Sequence, residues 1–215
     1  MGVTRVRSLG TWIFLVVSIL LGAWGGAARG ASFGAAETAI IDQVERYLNA
    51  VSTLKARFLQ MSANGAYAEG ELYLSRPGRM RMNYDPPDDI EVVADGRFLI
   101  FHDRKLEQVT YLGLDSSPAG ILLRPKIALS GDVTVTEVHR LPGALEISVV
   151  QTEDRAAGEL TMLLSENPLA LKQWRVRDAQ GQVVTVSLFG AERGVTLAPE
   201  LFEFYDPKFS KPAAQ

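Results

Sequence analysis

The chain has 215 residues, no cysteine and two histidines, and its 22 Lys and Arg against 25 Asp and Glu leave a formal net charge of −3. Without cysteine there is no disulfide, no cysteine nucleophile and no attachment point for the lipid that bacterial lipoproteins carry on a cysteine just after the signal peptide. Both charge signs are spread along the sequence, so there is no basic footprint for a nucleic acid.

The first segment is a short basic stretch with Arg5 and Arg7, then an uncharged apolar run from Thr11 to Trp24, then the small residues Gly25, Gly26, Ala27, Ala28, Gly30 and Ala31. Basic head, apolar middle and small-residue exit read as a secretory signal peptide over residues 1–30, cleaved between Ala28 and Ala31. The rival reading, a membrane anchor, needs about 20 apolar residues, and this run is shorter with no basic cluster after it. Residues 31–215 then form one exported domain, long enough to bury a substantial core. Over Ala36–Ala50, apolar residues recur at Ile40, Ile41, Val44, Tyr47 and Leu48, while Glu37, Asp42, Glu45 and Arg46 take the other face. That spacing predicts an amphipathic helix ending near Asn49.

From Leu54 the period changes to two. Leu54, Ala56, Phe58 and Gln60 alternate with Lys55, Arg57, Leu59 and Met61, as the two faces of a strand do. After a turn at Gly65, Leu72, Leu74 and Arg76 share one face; after Pro77-Gly78, Met80, Met82 and Tyr84 share one face and Arg79, Arg81 and Asn83 the other. Further strands are predicted at Ile90–Ala94, Arg97–His102, Leu106–Tyr111, Val133–His139, Leu145–Thr152, Glu159–Ser165, Leu169–Arg177 and Val183–Phe189. Turns separate them at Asp95-Gly96, Pro142-Gly143, Glu166-Asn167-Pro168 and Gln180-Gly181. Many short strands at close spacing predict one large antiparallel sheet, curled or barrel-like. The interruption at residues 116–130, SSPAGILLRPKIALS, reads as one or two short helices.

An ordered set of short motifs runs through this pattern: Phe58-x-Gln60, Gly70-x-Leu72, Arg76-Pro77-Gly78-Arg79-Met80-Arg81-x-x-Tyr84, Pro87, Val93-Ala94-Asp95-Gly96, Leu106-x-Gln108, and Pro118 followed by Leu122-Leu123. No single piece is diagnostic. Together, in order and behind a signal peptide, they resemble the LolA family of periplasmic outer-membrane lipoprotein carriers, most densely from Val51 to Leu123. The sequence departs from the family at Met82, where many relatives have tryptophan, and at its end, LFEFYDPKFSKPAAQ, which is only loosely similar to the family's closing segment.

The resemblance implies an eleven-stranded incomplete antiparallel β-barrel whose concave face is covered by a helical lid, with an apolar cavity between them for acyl chains. It implies a soluble periplasmic chaperone that takes acylated lipoproteins from an inner-membrane ATP-driven release complex, LolCDE, and hands them to an outer-membrane receptor, LolB. That receptor shares the fold but is itself a lipoprotein, so the missing cysteine favours the carrier; some relatives serve without a separate receptor. The chain is expected to act as a monomer.

Carrying a lipoprotein through water is a solvation problem, because each buried methylene is worth about 0.8 kcal/mol. Phe58, Leu72, Leu74, Met80, Met82, Tyr84, Ile90 and Val92 are the candidate cavity wall, and methionine suits it, being flexible enough to repack around different chains. By pattern alone the same alternation is better read as a filled core; it is the resemblance that favours a cavity. Pro118, Ile121 and Leu122 are the candidate lid helix. Arg76 shares its face with Leu72 and Leu74, at the rim of an apolar surface, where its guanidinium must find acceptors. The C-terminal carbonyls of a lid helix or the loop at Ser116-Ser117 are the candidates. The resemblance gives the matching arginine a lid-gating role; the plainer reading is a surface arginine before a turn.

The remaining features carry less. Arg79 and Arg81 are expected to face solvent. Asp85-Pro86-Pro87-Asp88-Asp89 lacks the ligand spacing of a calcium loop and reads as a rigid acidic turn. His102 and His139 stand in no metal-ligand or catalytic spacing, and there is no Gly-x-Ser-x-Gly elbow or phosphate-binding glycine loop. Neither an enzyme nor a cofactor is expected. The alternative function is an acyl-binding sensor of the same fold in envelope stress regulation; such a sensor is expected to need a further domain, for which the chain has no room.

Overall fold

The computed structural model describes residues 33–209; the signal-peptide reading lies outside the described residues. The periodic segment folds as helix α1, Ala35–Ala50, with Ile40, Val44 and Leu48 buried along one stripe. Its first turn is tied by the Glu37 carboxylate, which accepts from the Gly34 backbone N–H at 2.5 Å. Eleven strands follow: β1 Thr53–Met61, β2 Tyr67–Ser75, β3 Arg79–Tyr84, β4 Ile90–Asp95, β5 Phe98–Asp103, β6 Gln108–Gly113, β7 Val133–Leu141, β8 Ala144–Gln151, β9 Gly158–Glu166, β10 Leu169–Asp178 and β11 Val183–Arg193. The expected β6 began at Leu106. In the structure the Asp103 carboxylate accepts from the Leu106 N–H at 3.0 Å and Glu107 turns to φ 51°, so a turn occupies those residues and the strand starts later.

All eleven strands belong to one sheet in the order β6-β5-β4-β3-β2-β1-β11-β10-β9-β8-β7. Neighbours pair antiparallel, and β6 and β7 are its two unjoined edges, which makes an incomplete barrel. The β1–β11, β9–β10 and β7–β8 pairings each slip at one point, the kind of irregularity that bends a sheet. Residues as far apart in the strand order as Leu99 and Val135 consequently meet in one core. The chain from β6 to β7 crosses the concave face. It carries two short 3-10 helices, Leu114–Ser116 and Pro118–Leu123, where one or two helices were expected. Together with α1 it covers the hollow of the sheet.

The convex face of β3–β5 has a second covering that the sequence did not suggest. The last described segment returns across it and buries Phe202, 3% exposed, in the Pro199–Phe202 3-10 helix. Arg79, expected in solvent, lies over the Phe202 ring at 5.8 Å. Arg81, expected there too, is largely buried: it pairs with Glu91 and donates to Asn83 Oδ1 at 2.7 Å and to the Leu201 carbonyl at 3.3 Å. His102 Nδ1 lies 2.9 Å from Glu91 Oε1, and its ring meets Phe204 edge to face. The buried Glu91 carboxylate is satisfied by Arg81, by Arg104 at 3.0 Å and by the His102 ring, which is why Arg81 and His102 leave the solvent.

Candidate functional site

Between the concave face and the segments that cross it lies a cavity of about 220 Å³. One half of the sheet supplies Leu54, Leu74, Met80, Met82, Val92 and Leu99, and the other Leu171, Trp174, Val176, Val184 and Val186. The covering layer adds Tyr47, Leu48 and Val51 from the end of α1, Leu122 and Leu123 from the 3-10 helix, and Ile127 beyond it. Strand alternation explains the apolar character, since residues two apart point to the same face. The few polar groups on the wall include Gln60, Arg76, Tyr84 and Ser117.

Five of the eight residues expected on the wall line this cavity: Leu74, Met80, Met82, Tyr84 and Val92. Phe58 and Leu72 share their face but are sealed in the core, 1% and 0% exposed. Phe58 supports the wall from behind, its ring 5.0 Å from that of Tyr84 and nearly perpendicular to it. Ile90 is half-buried at the start of β4 and not part of the wall. Of the expected lid residues, Leu122 lines the cavity, whereas Pro118 and Ile121 are buried in the layer behind it. Sequence reading missed the contributions of β10, β11 and α1. Their alternation was visible, but which strands face one another across a curled sheet is decided only by closure.

Arg76 sits where three segments meet. Its Nη1 donates to the carbonyls of Leu48 and Val51 at the C-terminal end of α1, at 2.5 and 3.2 Å. Its Nε donates to the Arg124 carbonyl at 2.9 Å, and its Nη2 to the Pro125 carbonyl at 3.2 Å and Asn49 Oδ1 at 3.4 Å. One guanidinium therefore ties down the end of α1, whose last carbonyls lack helical partners, and the end of the 3-10 helix. Helix-end carbonyls were the expected acceptors, but the Ser116-Ser117 loop is not among its partners. The turn that follows adds a backbone bond, Gly78 N–H to the Leu123 carbonyl at 2.8 Å. All these partners are neutral. Burial lowers the arginine's pKa below its usual value, from a range so high that the side chain stays charged.

Two residues the sequence did not single out complete the clamp. Asn49 donates to the Ile127 carbonyl at 2.7 Å and accepts from the Ile127 N–H at 3.0 Å, and Glu45 accepts from the Leu129 N–H at 2.8 Å. Away from the clamp, the acidic turn after β3 is held by ion pairs: Asp85 with Arg57 and Asp89 with Arg104. The hydrogen bond from Arg57 holds the Asp85 carboxyl below the usual carboxylate range. Among the described residues, no helix is long and apolar enough to cross a membrane.

A family model described as outer membrane lipoprotein carrier protein LolA matches residues 49–205. The chain is 29% identical over 203 residues to the outer-membrane lipoprotein carrier protein of Methylococcus capsulatus, covering 90% of this chain and 93% of that one. It is 31% identical over 172 residues to the protein of the same description in Alkalilimnicola ehrlichii, covering 76% of this chain and 78% of that one. Among solved structures, a DUF1329 family protein from Desulfovibrio piger superposes with a TM-score of 0.51 at 10% identity, over 78% of this chain and 97% of that one, a likeness of fold alone.

Proposed function

The chain belongs to the LolA family of outer membrane lipoprotein carrier proteins, and from that premise we propose that it is a soluble periplasmic chaperone that shelters the acyl chains of lipoproteins on their way to the outer membrane. The observation that carries the reading is the apolar cavity covered by two segments hung on Arg76. At about 220 Å³ the hollow is smaller than the roughly 300–1,000 Å³ of pockets that enclose a drug-sized ligand. Long acyl chains fit only if the covering segments lift. Lifting them separates α1 from the Arg124-Pro125 carbonyls, so Arg76 loses partners on one side and the closed state gives way to the loaded one. Export by a cleaved signal peptide, loading by an inner-membrane ATP-driven release complex and delivery to an outer-membrane receptor belong to the same reading.

The test is release of lipoproteins from spheroplasts by the purified protein, followed by transfer to outer membranes. The wild type is expected to release and to transfer. Arg76→Leu is expected to fold and to retain cargo, with transfer reduced at least about tenfold, the loss of roughly 1.4 kcal/mol of differential hydrogen bonding. Wild-type protein that leaves lipoproteins on the spheroplast membrane overturns the carrier reading. Undiminished transfer by Arg76→Leu overturns the latch.

A further inference from the structure

The two ends of the cavity are built differently. At the Arg76 end Leu48, Leu123 and Ile127 are sealed, 4%, 2% and 1% exposed, while Tyr47, Arg76 and Leu171 on the same side are part-exposed. At the other end stand Gln60, near the end of β1, and Tyr84, the last residue of β3, paired in register with Ala68 and Gly70 of the intervening β2. Both are part-exposed, as are Val176 and Val184 beside them, and Phe101 is 39% exposed. The end remote from the arginine therefore has a part-exposed wall with two neutral polar side chains on it.

At this end the Tyr84 hydroxyl donates to Gln60 Oε1 at 2.6 Å. The amide nitrogen of Gln60 has one further protein contact, the Ser62 hydroxyl at the long distance of 3.5 Å. An amide carries two N–H donors and a phenol oxygen can accept as well as donate, so the pair keeps a donor and an acceptor in reserve. Gly70 makes the arrangement possible. A Cβ there would stand 2.7 Å from the Phe58 ring, which instead lies against the bare backbone and supports Tyr84.

We propose that Gln60 and Tyr84 form a polar station that receives the ester and amide groups joining acyl chains to their carrier. The inference rests on the carrier reading above and names the part of the cargo this end recognises. An acyl chain is apolar except at that junction. Entering tail first, it leaves its carbonyl at this end, where losing water without gaining a donor is costly. The Gln60 amide N–H supplies the donor, and the Tyr84 oxygen accepts the N–H of an amide-linked chain. A neutral amide suits this task better than a cation, which would favour the carboxylate of a free fatty acid. The station thus favours esterified and amide-linked chains over both free fatty acid and hydrocarbon.

The experiment measures binding of a palmitoylated cysteine peptide, ester- and amide-acylated with a carbon-13 label in its carbonyls, and separately of the hydrocarbon diphenylhexatriene. In Gln60→Leu the ratio of the two affinities is expected to fall about tenfold, the worth of a hydrogen bond to a desolvated group, and the ester carbonyl stretch in the complex to move to higher frequency. Tyr84→Phe, which keeps the ring on Phe58, is expected to weaken an amide-linked chain more than a purely ester-linked diacylglycerol. An affinity ratio within about twofold of wild type, or an unmoved carbonyl band, overturns the station and leaves the carrier reading standing. Wild-type protein that binds hydrocarbon but not the acylated peptide overturns both.

Discussion

Arg76 illustrates how one residue type decides which segments can be joined. Only a planar fork of donors reaches the carbonyls of Leu48, Val51, Arg124 and Pro125 together; a lysine ammonium is a point charge without that spread. Gly70 is equally specific, for the opposite reason. A Cβ at that position would fall 2.0 Å from the Asn83 carbonyl oxygen, which is backbone and cannot turn aside. Gly70→Ala is expected to destabilise the fold by about 1–3 kcal/mol, seen as a lower urea midpoint at unchanged slope. Tyr84 provides a pH test. Burial pushes its hydroxyl up to about 12, above the ordinary value of about 10. The neutral phenol is therefore the form the fold favours: its contribution is complete below about pH 10 and is lost as pH rises toward 12. Urea midpoints measured across that interval should decline in the wild type and decline less in Tyr84→Phe.

The covering elements show different ways of being held. α1 is bound to the segment after the 3-10 helix by side chains that act as backbone surrogates, Asn49 to both polar groups of Ile127 and Glu45 to Leu129. Asn49→Ala is expected to leave the sheet intact and speed hydrogen exchange at the Ile127 and Leu129 amides, by at least about tenfold if each bond contributes near 1 kcal/mol. Unchanged protection would place the hold elsewhere. The convex strap is held by packing, with Phe202 buried and Arg79 over its ring. Phe202→Ala is expected to cost about 3 kcal/mol; a much smaller loss in a urea titration would show that the strap contributes little to the fold.

For the whole molecule, the closed cavity is small and its cover is fastened along one line, from Asn49 and Arg76 to Ile127. On the proposed reading, loading separates α1 from residues 124–127. Binding of acylated peptide is therefore expected to speed hydrogen exchange at the Ile127 and Leu129 amides, which Asn49 and Glu45 hold in the closed state. Unchanged exchange on binding would mean that chains enter without this movement.

Much of the architecture was legible from periodicity. A period near 3.6 marked α1, and a period of two marked the strands and divided Leu74, Met80 and Met82 from Arg79 and Arg81, because local backbone geometry alone sets which side chains share a face. Local pattern could not say that Phe58 and Leu72 lie sealed behind the wall while Phe101 and Trp174 stand on it. That depends on how tightly the sheet curls and which strands it brings opposite. Nor could it say that Arg81 and His102 surround Glu91 beneath a returning C-terminal segment, since the partners are separated by long stretches of chain. Neighbours along the chain set the elements, their faces and the apolar character of the inward side chains. The existence and size of the cavity and the carbonyls that Arg76 holds depend on distances between segments far apart in the chain, which only folding brings together.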